Sequence, residues 1–218
     1  MGYRWDFSVI LQPIVWLKAI QVTLIYAVGT VVCGMIIGVV CGVGLLSRRR
    51  WVTAPIHAYV ELFRCTPLLI QIVWFYYALP ILLGVVLPAW FASALGFSLY
   101  QGAFCAEIFR GGVVSIDKGQ WQAAQALGMT YGQMMWRIIL PQATRRMIPP
   151  FVNQGVLQLK NTSLLYVVAV PDLMYTSSLI VGATYRPLEV YTFVALLYLV
   201  LLYPATVFAK SLERRADK

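Results

Sequence analysis

The distribution of charge constrains this chain more than any other feature of its sequence. No Asp, Glu, Lys, Arg or His lies between Lys18 and Arg48, and none lies from Cys65 to Ala106. As a helix, the first gap is roughly 40 Å long, more than the ~30 Å hydrocarbon core of a bilayer. Hydrophobic residues make up 61% of the chain and charged residues 11%. This composition excludes a soluble or disordered chain and predicts an all-α polytopic membrane protein.

Five membrane spans are predicted within a single domain, residues 1–218. Pro80, Gly84 and Pro88 supply a turn that divides the second uncharged stretch into two spans. The fourth span is the most polar, and the fifth carries no formal charge. The predicted spans are residues 19–46, 55–79, 87–109, 150–170 and 190–209.

Basic residues lie mostly in one set of the predicted loops. The other set holds only Arg4, Lys18 and Arg186. The positive-inside rule therefore places the N-terminus outside and the C-terminus in the cytoplasm. The net charge of +9 is then mostly a consequence of topology and not a sign of nucleic-acid binding. The residues predicted to be cytoplasmic are Arg48, Arg49, Arg50, Arg110, Lys118, Arg137, Arg145, Arg146, Lys210, Arg214, Arg215 and Lys218.

Small residues recur every four positions in the first span, at Thr30, Gly34, Gly38 and Gly42. This stripe predicts close approach of a second helix. The alternative is that the glycines are merely tolerated in a membrane helix.

Nothing in the sequence marks a catalytic or metal centre. The four cysteines lie in apolar stretches without CxxC spacing, and His57 is the only histidine. No GxSxG, HExxH or phosphate-binding glycine loop is present. The chain is therefore not expected to be an enzyme or to bind a metal or cofactor; an intramembrane hydrolase built from Ser163 or Ser178 is the remote alternative.

The polar segment between the third and fourth spans, about residues 111–146, is expected to form two short amphipathic helices. Asp117 with Gln120, and Thr130 with Gln133, have the spacing of helix caps. Gly128 is expected to end the first helix, and Pro141 to stop the second. Two interpretations remain open: an interfacial helix pair lying on the inner leaflet, or a docking helix for a partner.

This segment resembles the EAA loop of ABC importer permeases. The matching residues are Gln122-Ala123-Ala124, Gly128 and Ile138-Ile139-Leu140-Pro141, with Gln122 in place of the family's glutamate. Further runs resemble the polar amino-acid permeases, the family that takes up histidine, glutamate, glutamine, arginine and opine-type substrates. These runs are Glu61-Leu62-Phe63-Arg64-Cys65-Thr66-Pro67-Leu68-Leu69, Ala106-Glu107-Ile108-Phe109-Arg110-Gly111-Gly112 and Lys160-Asn161-Thr162-Ser163-Leu164.

The resemblance implies a type I importer fold and a function in uptake across the bacterial inner membrane. It implies a second permease subunit, identical or related, an external solute-binding protein and a dimer of ATP-binding subunits that holds ATP and Mg²⁺. Residues 118–127 would be the coupling helix docked on that dimer. The coupling residues implied are Gly119, Gln122, Ala123, Ala124, Gly128 and Pro141.

Polar residues within the fourth span suggest a substrate pathway, since such residues are expensive in a membrane. The candidates are Gln154, Gln158, Asn161 and Thr162, and Asn161 stands where many members of the family carry aspartate. The alternative is a polar face that holds helices together.

Two E-x-F-R units, Glu61 with Arg64 and Glu107 with Arg110, are expected near the inner membrane edge. Each can form an i,i+3 ion pair on one helix face. These pairs are candidates for a gate or for simple structural pairing. A different functional class, a stand-alone ion-coupled secondary transporter or channel, is the alternative to the importer as a whole.

Overall fold

A computed structural model describes residues 4–216, and every regular element in that range is helical. Two π-helical turns, Trp74–Ala78 and Met135–Ile139, join α3 to α4 and α7 to α8. Short 3₁₀ segments cover Phe7–Ile10 and Thr162–Val168. The α-helices are α1 (Pro13–Leu45), α2 (Arg50–Cys65), α3 (Leu68–Val73), α4 (Leu79–Leu83), α5 (Ala89–Val114), α6 (Lys118–Ala126), α7 (Tyr131–Met134), α8 (Leu140–Asn161), α9 (Leu173–Thr184) and α10 (Pro187–Ala216).

The closest packing in the molecule is that of α1 against α5. A Cβ added at Gly38 would lie 2.2 Å from the Cβ atom of Cys105, and one added at Gly34 would lie 2.5 Å from that of Gln101. A Cβ added at Gly42 would likewise overlap the side chain of Phe109. The small-residue stripe therefore lets the two helices approach closely, which confirms the sequence prediction.

Helices α2, α3 and α8 also pack against α5, whereas α9 and α10 pack against α1, α8 and each other. One buried cluster joins Ile72 of α3 and Phe97 of α5 to Leu165 of the second 3₁₀ segment. A second joins the end of α5 to the π-helical turn after α7 and to α8. At the opposite end, Trp16 and Leu173 pack with residues of α10. The first two clusters thus include residues of α5, whereas the third joins α1, α9 and α10 without it.

Two helices, Pro13–Leu45 and Pro187–Leu212, are long and apolar enough to cross a membrane by themselves. Two bent pairs, Arg50–Cys65 with Leu68–Leu83 and Tyr131–Val168 with Leu173–Thr184, bring the number to four if each pair is one span. Both counts of possible spans refer to residues 4–216. The division into five spans therefore remains a prediction.

The predicted second span, residues 55–79, is not one straight helix. The chain bends by 108° between α2 and α3. Thr66 is extended, with φ −108° and ψ 141°, because the ring of Pro67 disfavours a helical conformation in the preceding residue. The hydropathy pattern did not reveal this break.

Pro141 does not stop the helix, contrary to the sequence prediction. α7, the π-helical turn and α8 run on from Tyr131 to Asn161. The Leu140 N–H donates to the Met135 carbonyl, five residues back, and Pro141 follows in the first turn of α8. The wider turn provides room for the proline, as is common where a π-bulge interrupts a helix. Consequently α8 begins at Leu140 and not near the predicted start of the fourth span at residue 150.

Gly38→Ala is expected to destabilise the protein by about 1–3 kcal/mol, because its methyl group overlaps Cys105 and the backbone of α5. The matched control is Gly29→Ala on the same helix, where nothing lies within 4 Å of the added Cβ. That change is expected to be neutral or slightly stabilising. Thermal unfolding of both variants in detergent tests the difference, and equal transition temperatures would contradict the close contact.

Candidate functional site

Helix α6 is held at the end of the bundle where α5 ends and α8 begins. Asp117 caps it by accepting a hydrogen bond from the Gly119 N–H at 2.6 Å. Trp121 packs against the buried cluster formed by α5 and α8, and Ala124 is fully buried. The Gln142 amide on α8 donates to Gln120 Oε1 at 3.4 Å. One face of this short helix is therefore fixed to the bundle.

The opposite face of α6 is open. Gly119, Gln122 and Ala123 are exposed, and Leu127, just beyond the helix, is 79% exposed. An exposed apolar side chain on an exposed helix face is typical of a contact surface. The exposed α6 face, defined as these four residues, is the strongest docking candidate at this end of the molecule.

The turn after α6 depends on Gly128. Its φ is +70°, a conformation that a residue with a Cβ rarely adopts, and this reverses the chain at the end of the helix as predicted. Thr130 and Gln133 then form a reciprocal capping box that starts α7, also as predicted. The Arg146 guanidinium on α8 donates to the Ser115 carbonyl and braces the start of the loop.

The structure separates the six predicted coupling residues. Gly119, Gln122 and Ala123 lie on the exposed face, whereas Ala124 faces the bundle. Gly128 forms the turn, and Pro141 lies in the first turn of α8. Gly119, Gln122 and Ala123 are therefore expected to contact a partner, whereas Ala124, Gly128 and Pro141 shape the loop.

The polar residues of α8 divide between two faces. Gln158 is fully buried and donates to the Thr30 hydroxyl at 3.1 Å and to the Phe97 carbonyl at 3.3 Å. Gln154 donates to Gln101 Oε1 at 3.2 Å, and the Thr162 hydroxyl donates to the Leu159 carbonyl. Gln154 and Gln158 therefore contact other helices, which favours the helix-holding interpretation for these two, whereas the Thr162 contact is local to its own helical turn.

The other face of α8 is open. Asn153, Leu157 and Lys160 are exposed at helical spacing, and Asn161 is half-buried beside them. Lys160 stands within the predicted fourth span, where a charged side chain is expensive unless it faces water or a partner. Of the predicted pathway residues, only Asn161 borders this open face.

The two E-x-F-R units form one ion-pair network across two helices. Arg110 makes a two-point contact with Glu107, at 3.0 Å from Nε to Oε1 and 2.8 Å from Nη2 to Oε2. Arg64 of α2 lies 3.7 Å from Glu107 and 4.0 Å from Glu61. Glu107 therefore connects α5 to α2, a link that the i,i+3 spacing alone does not predict.

Gln101 is the residue of this region that the sequence analysis did not identify. It is fully buried in α5 and accepts the hydrogen bond from Gln154. It is one of two amides, with Gln71, in the uncharged stretch from Cys65 to Ala106, and an amide within such a stretch was the available signal. Within residues 4–216, no three His, Cys, Asp or Glu side chains converge as metal ligands.

Comparison with known proteins identifies the family. Residues 34–218 match the model described as the inner membrane component of binding-protein-dependent transport systems. The chain belongs to this family. The predicted resemblance to ABC importer permeases is thereby confirmed.

Curated relatives cover nearly the whole chain. The probable glutamine ABC transporter permease protein GlnM of Bacillus subtilis is 43% identical over 82% of this chain and 84% of its own length. The arginine transport system permease protein ArtQ of the same organism is 35% identical, covering 96% of both chains. The glutamate/aspartate import permease protein GltK of Escherichia coli O6:H1 is 35% identical over 98% of this chain and 99% of its own.

Solved structures confirm the fold of this family member. An amino acid ABC transporter crystallised with histidines superposes with a TM-score of 0.92 at 28% identity, covering 98% of this chain and 100% of the other. The inward-facing MetNI methionine ABC transporter gives a TM-score of 0.79 at 18% identity, covering 95% of this chain and 99% of the other. The all-α type I importer permease fold predicted from the sequence is therefore confirmed.

Glu107→Gln is expected to lower the free energy of unfolding by about 1 kcal/mol, because two guanidinium groups lose their shared carboxylate. Glu61→Gln is the matched control, since the Glu61 side chain is 62% exposed, its ion pair with Arg64 is 4.0 Å long, and its other contact is with the Cys65 thiol of its own helix. Its effect should stay within about 0.5 kcal/mol. Chemical unfolding in detergent measures both, and an equal loss would show that the link between helices contributes nothing.

Proposed function

We propose that this chain is the transmembrane subunit of an ATP-driven ABC importer for a polar amino acid. The observation that carries the proposal is the exposed α6 face, which is presented outside a bundle that fixes the rest of the helix. A transporter that works alone has no need for a rigid, capped helix with an open face at one end. Family membership and the amino-acid permeases among the relatives support the same conclusion.

The proposed assembly contains two membrane subunits, two ATP-binding subunits and an external solute-binding protein. ATP and Mg²⁺ are bound and ATP is hydrolysed in the partner, so this chain supplies no catalytic residue. The α6 helix would sit in a cleft of the ATP-binding subunit. Its contacts with α5 and α8 would carry the closure of the ATP-binding subunits into the bundle.

The proposed location is the bacterial inner membrane, with five spans, the N-terminus outside and the C-terminus in the cytoplasm. The basic residues support this orientation, since most of them would then lie on the cytoplasmic side. The α6 helix lies in a loop of that side, where an ATP-binding subunit can reach it.

The open face of α8 is the proposed boundary of the substrate pathway. Asn153, Lys160 and Asn161 could there meet a second membrane subunit and the substrate between the two chains. An amide and an ammonium group are suited to an amino acid's carboxylate, which needs hydrogen bonds once it is dehydrated. The buried amides Gln154 and Gln158 would hold the wall of this pathway in place.

Reconstitution tests the proposed function. Vesicles that contain this chain with its ATP-binding subunit and binding protein are expected to accumulate a polar amino acid only with internal ATP. Uptake by this chain alone, driven by an ion gradient, would instead establish the secondary-transporter alternative. A screen of amino acids in the same vesicles identifies the substrate.

Ala123→Trp tests the docking helix itself. Because Ala123 is exposed, the variant is expected to fold normally but to bind the ATP-binding subunit about tenfold more weakly or worse. Ala124→Trp is the matched control, because it overpacks a fully buried site and should cost about 1–3 kcal/mol of stability. Normal binding and ATP-dependent uptake by Ala123→Trp would contradict docking through this face.

Asn161→Ala and Gln158→Ala distinguish the two faces of α8. Asn161→Ala is expected to weaken uptake affinity by roughly tenfold with unchanged stability, since it removes one hydrogen bond to a charged substrate. Gln158→Ala is expected to lower stability by about 1–2 kcal/mol, because it removes two buried contacts between helices. Uptake kinetics and thermal unfolding of both variants are the measurements, and normal uptake by Asn161→Ala would contradict the proposed pathway.

A further inference from the structure

An apolar groove of about 270 Å³ lies between the end of α1 and the π-helical turn that joins α7 to α8. It is separate from the open face of α8 and from the exposed α6 face. Leu140 at the start of α8 and Phe109 of α5 help to close it. Its other walls include Val43, Leu46, Ser47, Tyr131, Met135 and Trp136.

Four arginines flank this groove in the chain. Arg48, Arg49 and Arg50 directly follow Ser47 at its rim, and Arg137 directly follows Trp136. All four are exposed. Within residues 4–216, none of them forms an ion pair with a carboxylate, in contrast to Arg64, Arg110 and Arg186. The groove therefore combines an apolar interior with four exposed cations that adjoin its lining residues in the chain, and no described carboxylate forms an ion pair with them.

The groove is continuous with an exposed apolar side of α1. Ile36, Val40 and Val43 are exposed at helical spacing along one face, and that face leads into the groove. Tyr131 is 55% exposed and Trp136 77% exposed at its edge. Aromatic residues of this kind are enriched at the level of lipid headgroups. This continuity favours a lipid as the occupant over a soluble ligand.

We propose that this groove binds an anionic phospholipid, with an acyl chain along Val43 and Trp136 and the headgroup phosphate at Arg48 and Arg137. Guanidinium groups match phosphate geometry and recognise it by paired hydrogen bonds. Only the assignment to the inner leaflet rests on the orientation given under the proposed function. The site itself does not depend on that orientation.

A lipid bound in the groove would also affect the loop that contains α6. The Tyr131 ring, which lines the groove, stacks on Trp121 of α6 with ring centroids 6.3 Å apart. A bound lipid would restrict Tyr131 and thereby support the position of α6. Anionic lipid is therefore expected to strengthen the coupling of ATP hydrolysis to uptake as well as to bind.

The primary test measures lipid retention directly and needs no transport. The purified chain is exchanged into detergent with an equal mixture of phosphatidylglycerol and phosphatidylcholine, and the retained lipid is counted by native mass spectrometry. The wild type is expected to retain phosphatidylglycerol preferentially. The double variant Arg48→Gln/Arg137→Gln should lose about tenfold or more of that preference, whereas Arg48→Lys/Arg137→Lys should lose less of it, because the charge stays and only the paired hydrogen bonds are lost. Val43→Trp should reduce retention of the lipid by filling the groove.

A matched control removes two exposed cations elsewhere on the same predicted side, Arg145→Gln/Lys210→Gln. Equal loss in this control would overturn the site in favour of general charge attraction. Normal retention by Val43→Trp, or no preference in the wild type, would also overturn it. Displacement of the lipid by soluble glycerol phosphate would show a free-anion site instead.

The uptake assay provides a separate measurement. In phosphatidylcholine vesicles, added phosphatidylglycerol should raise ATP-coupled uptake by the wild type but not by Arg48→Gln/Arg137→Gln. Equal stimulation of the two proteins would overturn the link to coupling. Because retention is measured without ATP or substrate, failure of the lipid site and failure of the transport assignment give different results.

Discussion

The close contact between α1 and α5 is the constraint on which the rest of the structure depends. Lipid tails are as apolar as leucine, so burial of apolar side chains gives little drive for helices to associate in a membrane. Close approach through Gly34, Gly38 and Gly42 supplies packing in its place. The helices that surround α5 then add polar contacts, Arg64 to Glu107 from α2 and Gln154 to Gln101 from α8.

The same arrangement determines how a signal could cross the molecule. Helix α6 follows α5 in the chain and is hydrogen-bonded to α8 through Gln142. A shift of α6 would therefore displace α5, α8 or both. Gln158 of α8 donates hydrogen bonds to Thr30 of α1 and Phe97 of α5, and so connects α8 to both helices. A displacement of the loop would thus be transmitted through a contiguous set of packed helices and would not be absorbed locally.

Local features of the sequence predicted local structure well. The capping box at Thr130 and the turn at Gly128 depend on a few neighbouring residues and formed as expected, and Asp117 capped α6 without the expected pairing to Gln120. Pro141 did not end the helix as expected, because the π-helical turn before it provides room for the proline ring. The burial of Gln158 could not be predicted from its neighbours in the sequence, since a helix face becomes buried only when other helices cover it. The division of α8 into a buried amide face and an open face is therefore tertiary information.

Helix α5 shows why hydropathy identifies the outer helices better than the central one. α1 and α10 pass the length and hydropathy criteria, and few residues of their apolar stretches are buried inside the molecule. α5 is longer than a bilayer needs, yet it carries buried Ser93, Ser98 and Gln101, which lower its apolar character without exposing them to lipid. Hydropathy measures contact with lipid more directly than it measures position in the membrane. The helix that packs along the small-residue stripe of α1 is thus not among those that hydropathy alone identifies as spans in the described residues.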